Sequence, residues 1–191
     1  MKKIIVIDDI FDGVDDITSN EFNSLLIDKI SNHQGWHLSR DEKEQSKKVE
    51  SNFSDSGMLL QSFYNNQSEY LNSHNSDINY MASIILDRIL SISDVKFTNV
   101  STVRFLWNYY NRSSTGVKHK DIGDNIEGNY CSIVYYLNTC DGYTKVEDEY
   151  YNSTSGKCVI FNSKLNHYGR GPIEDSKRFV LNIIFKYDEI I

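Results

Sequence analysis

Four strand-forming segments in the C-terminal half of this chain limit what it can fold into. Residues 130–137, 157–161 and 177–185 are short runs rich in β-branched and aromatic side chains. A longer run of the same kind, 97–110, precedes them, and polar segments separate all four. This pattern predicts a mainly β domain, in which side chains near the strand ends can be held on a rigid scaffold.

The run 97–110 carries different residues on its two faces, because successive side chains of a strand point to opposite sides of the sheet. One face has the set Val103, Phe105, Trp107 and Tyr109, and the other has the set Arg104, Leu106, Asn108 and Tyr110. The alternation predicts a strand that presents these two sets on opposite faces.

Two helices are predicted before these strands. Thr18 and Glu21 form a capping box, in which the Thr18 hydroxyl accepts from the Glu21 amide while the Glu21 side chain reaches back. A second helix is predicted at about 77–91. Each helix has an apolar stripe, which we interpret as facing a core. The stripes are Phe22, Leu25, Leu26 and Ile30 in the first helix, and Ile78, Met81, Ala82, Ile85, Ile89 and Ile92 in the second.

The composition is that of an ordinary globular domain. With 191 residues, of which 39% are hydrophobic, we expect one domain, 1–191, with one substantial core. The formal net charge is −7 and there is no basic block, which disfavours a broad nucleic-acid footprint.

The cysteines and the N-terminal residues indicate a reducing compartment. Cys131, Cys140 and Cys158 are odd in number and form no CxxC pair, so we expect no disulfide framework. The apolar run near the N-terminus is too short for a signal peptide, and no run is long enough to span a membrane. Frequent Asn, Ile, Lys and Tyr point to an AT-rich bacterial or viral genome. Together with the cysteines, this predicts a cytoplasmic protein of a bacterium or a virus-infected cell.

Residues 39–56 form a polar segment, rich in Lys, Glu, Asp and Ser and almost free of apolar side chains. This composition predicts a loop. Loop-length statistics favour a solvated surface loop over a lid that closes on a site. Both interpretations stay open from the sequence.

A set of potential ligands lies around the predicted strands. His119 and Asp121 lie between two of them, His167 follows a third, and an arginine, Arg178, begins a fourth. Two imidazoles and one carboxylate are the ligand set of a facial iron(II) site with open coordination positions. The planar fork of an arginine matches a carboxylate and suits an anionic co-substrate. Together these residues suggest an oxygenase that uses a keto acid.

In order and spacing, these residues resemble the catalytic core of the 2-oxoglutarate- and iron(II)-dependent oxygenases, in the prolyl 4-hydroxylase-like branch. The resemblance covers residues 97–187, and the first 96 residues match only in general layout. One departure is Asp141-Gly142, where the family usually has two glycines. The matching segments are His119-Lys-Asp121, Val134-Tyr-Tyr-Leu-Asn138, Asp141-Gly-Tyr-Thr144, Val159-Ile-Phe161, His167 and Arg178-Phe-Val-Leu-Asn182.

The resemblance implies both a fold and a metal site. The implied fold is α+β but mainly β: a double-stranded β-helix, or distorted jelly roll, buttressed by N-terminal helices. His119, Asp121 and His167 would bind Fe(II). The co-substrates would be 2-oxoglutarate and dioxygen, with ascorbate as an optional reductant.

The resemblance also implies contacts to 2-oxoglutarate. Arg178 would bind its C5 carboxylate, and Tyr136 matches a tyrosine that bonds the same group. Asn182 shares the strand face of Arg178 and could either donate a further hydrogen bond or simply cap a polar interior. The family has another tyrosine near the end of the first long strand. Counting back from the metal-binding pair points to Tyr109, whereas alignment on the preceding Thr-Gly points to Tyr110.

Three functions follow from these observations. The first is a dioxygenase that hydroxylates a peptide or protein substrate at proline. The second is the same chemistry on a nucleobase, an amino acid or a small metabolite, with nucleic acid not favoured because of the acidic charge. The third is a jelly-roll binding module without turnover, against which the intact ligand set and the arginine argue. We expect no membrane partner, and the sequence does not indicate an oligomeric state.

Overall fold

The computed structural model describes residues 4–15, 17–31, 37–38, 59–65, 76–112, 114–175 and 177–191. The polar segment 39–56 lies outside the described residues. In the described part the helices are α1 (Ser19–Ser31) and α2 (Ser76–Ile92). Neither of them is long and apolar enough to cross a membrane.

The strands of the described residues form two antiparallel sheets. The larger sheet has the order β1-β8-β5-β10-β4-β3-β2, and the smaller has the order β7-β6-β9. The four predicted strand segments are confirmed, as β4, β5, β8 and β10. The bounds are β1 (Ile5–Ile7), β2 (His37–Leu38), β3 (Leu59–Asn65), β4 (Ser101–Asn111), β5 (Asn129–Tyr136), β6 (Tyr143–Val146), β7 (Glu149–Asn152), β8 (Cys158–Asn162), β9 (His167–Arg170) and β10 (Lys177–Tyr187).

The larger sheet separates two apolar clusters, because neighbouring strands pair in a register that aligns their side chains. Trp107 and Tyr135 both pair with Leu181, and this row packs with the two helices in a helix-side cluster. Tyr136 pairs with Val180 in the adjacent row, which faces the smaller sheet in an inner cluster. Burying a large side chain in such a cluster contributes about 1.5–3 kcal/mol. The predicted division of β4 into two faces is confirmed.

Helix α1 begins at the predicted capping box. The Thr18 amide donates to Glu21 Oε2 at 3.0 Å, and the Glu21 amide donates to Thr18 Oγ1 at 3.3 Å. The predicted stripe is wrong at Leu25, which is 70% exposed. With about 100° between successive residues, Leu25 falls outside the buried arc of the helix. Asn23 lies in that arc instead, and its Oδ1 accepts from the hydroxyl of Tyr135 at 2.8 Å.

Helix α2 matches its prediction to within a residue at each end. Its stripe packs on the helix-side face of the larger sheet, and it also includes Leu86, which was not predicted. Arg88 ties the helix to the chain that follows β1, since its Nε donates to the carbonyl oxygen of Ile10 at 2.7 Å. The two helices thus cover one side of the larger sheet and leave the other side to the smaller sheet.

A segment after β4 extends the smaller sheet beside β9. Thr115 pairs with Arg170, and the Gly116 amide donates to the carbonyl oxygen of Gly169 at 2.8 Å. This segment leads to His119, which pairs with the first residue of β9. The loop between β4 and β5 therefore runs along the inner side of the molecule, next to the inner cluster.

Candidate metal centre and anion pocket

Backbone pairing brings the two predicted histidine ligands together. The amide of His119 donates to the carbonyl of His167 at 3.0 Å, and the reverse bond is 2.9 Å long. Opposite residues of such a pair project their side chains to the same side of a sheet. The two ring centroids accordingly lie 4.4 Å apart.

Each imidazole is held in the form that binds a metal through Nε2. His119 Nδ1 lies 2.7 Å from the carbonyl oxygen of Val117, and His167 Nδ1 lies 3.1 Å from that of Leu165. A carbonyl oxygen only accepts, so the proton of each neutral ring belongs on Nδ1. The lone pair of each Nε2 is then left for a ligand, which is the arrangement found at protein metal sites.

Asp121 completes a three-residue cluster with the two histidines. Its Oδ1 lies 3.7 Å from His119 Nε2, and its Oδ2 lies 3.4 Å from His167 Nε2. The potential ligand atoms all lie within 4.8 Å of one another. His167 Nε2 is buried and has no hydrogen-bond partner among the described residues. A metal ion between these atoms would satisfy it, so the residues fit a divalent cation.

The electrostatics of the cluster favour the metal-binding protonation states of Asp121 and His167. Burial would raise the pKa of Asp121, but the nearby His119 and the charges of His167 and Arg104 hold it well below its usual range. Burial lowers the pKa of His167 and outweighs the attraction of Asp121. Burial also opposes the charge on His119, yet Asp121 raises the pKa of this more exposed ring. Asp121 is thus ionised and His167 neutral at pH 7.

Two residues that contact Asp121 were not anticipated from the sequence. Arg104 on β4 donates from Nη2 to Asp121 Oδ1 at 2.9 Å, and Ser132 on β5 donates its hydroxyl to Oδ2 at 2.6 Å. A signal for Arg104 did exist, since it is a charged residue on the β4 face that also carries Tyr110. Its partner could not be read from the sequence, because the two residues belong to different elements.

Arg178 lies fully buried between the sheets. Its Nη2 donates to the hydroxyl oxygen of Thr144 at 2.6 Å, and its exposed fraction is 0%. The Nε and Nη1 atoms have no hydrogen-bond partner among the described residues. A buried guanidinium with two such donors needs an anion or other acceptors beside it. Arg178 and Thr144 therefore form a candidate anion pocket.

Two glycines make room for this guanidinium. A Cβ on Gly142 would lie 2.7 Å from Arg178 Cδ, and a Cβ on Gly169 would lie 2.5 Å from the Tyr110 hydroxyl and 2.9 Å from Arg178 Nη1. Gly142 is the glycine retained where the family pattern is otherwise broken. Its neighbour in that motif, Asp141, plays a structural part, since its carboxylate accepts the backbone amides of residues 173–175 and anchors the loop before β10.

The tyrosines divide between the two faces of the larger sheet. The Tyr110 ring lies under the Arg178 guanidinium at 4.8 Å, whereas Tyr109 packs against Phe179 on the helix side at 4.9 Å. Of the two candidates, Tyr110 is thus the one at the anion pocket. Tyr136 lies 5.3 Å from the guanidinium carbon of Arg178. Burial raises the pKa of its hydroxyl, which donates to the carbonyl of Tyr151 at 3.3 Å.

Asn182 lies four residues beyond Arg178 on the same face of β10. It is 7% exposed, and its Oδ1 has no hydrogen-bond partner among the described residues. Asn108 on β4 has the same character on the same face and was not singled out from the sequence. Both amides stand in the polar interior, and among the described residues neither has a contact that links it to Arg178.

Comparisons with known proteins identify the fold. No family model matches the sequence, and no curated protein matches it either. Solved structures do match. A Trichoplax adhaerens prolyl hydroxylase, in complex with a hypoxia inducible factor oxygen degradation domain peptide, has a TM-score of 0.61 at 13% identity over 98% of this chain and 84% of that chain.

Two other similar structures are of proteins that use or bind 2-oxoglutarate. The non-heme alpha-ketoglutarate-dependent epimerase SnoN from nogalamycin biosynthesis has a TM-score of 0.67 at 7% identity over 96% of this chain and 77% of that chain. HygX from Streptomyces hygroscopicus, with nickel and 2-oxoglutarate bound, has a TM-score of 0.59 at 11% identity over 97% and 83%. The chain therefore has the double-stranded β-helix fold of the 2-oxoglutarate- and iron-dependent oxygenases, as predicted.

Proposed function

We propose that the protein is an Fe(II)- and 2-oxoglutarate-dependent dioxygenase that hydroxylates a peptide or protein substrate at proline. The observation that carries the proposal is the buried Arg178 guanidinium, with two N–H donors unpartnered among the described residues, in the fold that also assembles a His-Asp-His cluster. Either feature alone has simpler explanations. Both together match the two things that this chemistry needs, a metal with open positions and a keto acid.

The metal would be held by His119, Asp121 and His167. Their donor atoms are two imidazole nitrogens and one carboxylate oxygen, a set suited to iron(II). The His119 side chain is 48% exposed, so the cluster is accessible to solvent and to a substrate. Three protein ligands leave further coordination positions for other molecules, in contrast to a closed structural site.

The 2-oxoglutarate would be held through its distal carboxylate. The unpartnered donors of Arg178 suit that group, and the charge pair would remove the cost of a lone buried cation. Tyr110 and Tyr136 would flank the pocket as aromatic walls, and Asn182 would add a polar contact deeper in the interior. When bound, iron and 2-oxoglutarate supply the oxidising chemistry with dioxygen. The protein holds both groups and limits access of water to the buried pocket.

A peptide substrate is supported by the sequence resemblance to prolyl hydroxylases and by the similar fold of one that was solved with a peptide. A small metabolite is the second candidate, because the epimerase SnoN has a higher TM-score than that hydroxylase. A fold hosts many substrates, so these likenesses favour a class and do not identify a molecule.

The test is a turnover screen that measures succinate formation from 2-oxoglutarate, with iron(II) and ascorbate present. The panel contains proline-containing peptides, free amino acids, nucleosides and small metabolites, and His167→Ala serves as the blank. We expect peptides to stimulate turnover and to gain one oxygen atom by mass spectrometry. Stimulation by another class alone would replace the peptide assignment. No 2-oxoglutarate consumption by the iron-loaded protein with any substrate would argue against the dioxygenase itself.

A further inference from the structure

The Asp121 carboxylate is buried and receives a hydrogen bond on each oxygen. Arg104 Nη2 donates to Oδ1 and the Ser132 hydroxyl donates to Oδ2. The Asp121 side chain is 1% exposed, so these two donors replace water that the carboxylate has lost. With one donor from β4 and one from β5, the plane of the carboxylate is fixed from two sides.

The serine arm of this arrangement is itself oriented. The Ser132 and Ser163 hydroxyl oxygens lie 2.9 Å apart in the buried interior. Ser132 has one hydroxyl proton, and the ionised carboxylate is the stronger acceptor. Ser163 therefore donates to Ser132, which in turn donates to Asp121. Arg104 is the other arm, and it brings a positive charge as well as a hydrogen bond.

We propose that Arg104 is a positioning residue of the metal centre: it holds the Asp121 carboxylate in the orientation that faces the Nε2 atoms of His119 and His167. This proposal rests on the metal site proposed above. Arg104 acts through Asp121 and is not itself a ligand. Its side chain is 29% exposed, so it reaches from the rim of the interior to the carboxylate.

Because Arg104 is charged, the direction in which metal affinity changes when it is removed tests this role. A cation beside a metal site repels the metal, so removing Arg104 would tighten metal binding if its charge were all that mattered. Removing a residue that orients a ligand instead weakens metal binding, typically by about 10–100-fold. We expect the loss of orientation to be the larger effect. A metal ion bound by both Nε2 atoms can also bind Asp121 only when the carboxylate faces those two atoms.

The experiment is a Co(II) titration of the metal-free full chain, followed by visible absorption and by calorimetry. Arg104→Ala should weaken Co(II) binding by about 10–100-fold and change the shape of the Co(II) spectrum. Arg104→Lys keeps the charge and one donor, so it should fall between Ala and the wild type. The matched control is Lys120→Ala. Lys120 is adjacent in sequence to His119 and Asp121, but its ammonium group is paired with Asp124 at 2.7 Å. This variant should leave the spectrum unchanged and the affinity unchanged or higher.

The outcomes separate this proposal from the proposed function. Equal or tighter Co(II) binding by Arg104→Ala, with an unchanged spectrum, would overturn the positioning role and leave the metal site standing. A wild-type protein that binds no Co(II) would overturn the metal site itself. If Arg104→Ala does not fold, Arg104→Met decides the matter, since it keeps most of the side-chain volume and removes the donor to Asp121. Wild-type affinity and spectrum in that variant would equally reject the role.

Discussion

Arg178 is the residue whose surroundings are hardest to explain without a bound anion. Its guanidinium carbon lies 4.8 Å from the centre of the Tyr110 ring and 5.3 Å from that of the Tyr136 ring. Nη2 donates to Thr144, while Nε and Nη1 lack partners among the described residues. The pocket offers an anion a planar pair of N–H donors as well as a positive charge. A lysine at this position would supply the charge without the planar pair of donors.

Arg178→Lys should therefore weaken 2-oxoglutarate binding while leaving metal binding unchanged. Hydrogen bonds to charged groups contribute about 1.5–3 kcal/mol each, which corresponds to a loss of roughly 10–100-fold for one bond. Calorimetric titration of the Co(II)-loaded protein with 2-oxoglutarate measures the loss. Arg112→Lys is the matched control, since this exposed arginine bonds the backbone carbonyls of residues 174 and 175. Wild-type affinity in Arg178→Lys would reject the assigned role.

His167 tests the metal centre in the same way. Its Nε2 is buried and unpartnered among the described residues. Replacing His167 therefore removes a potential metal ligand and breaks no hydrogen bond made by that atom. His167→Ala should lose most of the bound iron, and turnover with it, by more than the roughly 10–100-fold typical of residues behind the ligands. Metal analysis after gel filtration gives the answer, and near-stoichiometric iron in the variant would contradict the ligand assignment.

At the scale of single elements, strands were easier to predict than the contacts between them. The alternating pattern of β4 indicated that Trp107 and Tyr109 share a face, and they do. Nothing in one strand says what lies opposite, so the meeting of Arg104 with Asp121 could not be predicted. The choice between Tyr109 and Tyr110 shows the same limit. Counting along the chain left it open, whereas the register of β4 against β10 places Tyr110 opposite Arg178. That Tyr110 contacts the co-substrate stays a prediction.

The helices show where periodicity alone gives a wrong residue. Leu25 completes an apolar stripe in the sequence but is exposed, whereas Asn23 is buried. The reason is a specific partner: the amide of Asn23 accepts from Tyr135 and donates to Ser155 at 3.0 Å. A polar residue enters a core when its hydrogen bonds are met there, and that depends here on residues far away along the chain.

The capping box at the start of α1 supports a prediction about this element. Replacing Thr18 with Ala removes the side-chain acceptor of the Glu21 amide. The expected cost is about 1 kcal/mol, which lowers the melting temperature of a chain of this size by about 2–4 °C. Thr154→Ala, at an exposed threonine after β7, is the control and should change stability by less than about 0.5 kcal/mol. Equal melting temperatures for the two variants would contradict the cap.

At the scale of the whole molecule, the two sheets and the helices bury ionisable groups that have no role in the proposed site. Burial raises the pKa of Cys131 to about 12 and that of Cys158 to about 12. An unfolded thiol has a pKa of about 8.5, so the unfolded state loses these protons first as the pH rises. Stability contributed by the protonated thiols is complete below about pH 8.5 and falls between the unfolded and the folded pKa.

This difference predicts alkaline unfolding of a definite steepness. Above about pH 9, each buried thiol should lower the free energy of unfolding by about 1.4 kcal/mol per pH unit, or about 3 kcal/mol for both. Domains are stable by only about 5–15 kcal/mol, so unfolding should occur near pH 11. Urea titrations at pH 8, 9, 10 and 10.5 measure the slope, and Cys131→Ala should reduce it by about 1.4 kcal/mol per pH unit. A free energy of unfolding that stays constant from pH 8 to 10.5 would show that these thiols ionise alike in both states, and that Cys131 and Cys158 are not buried as the fold requires.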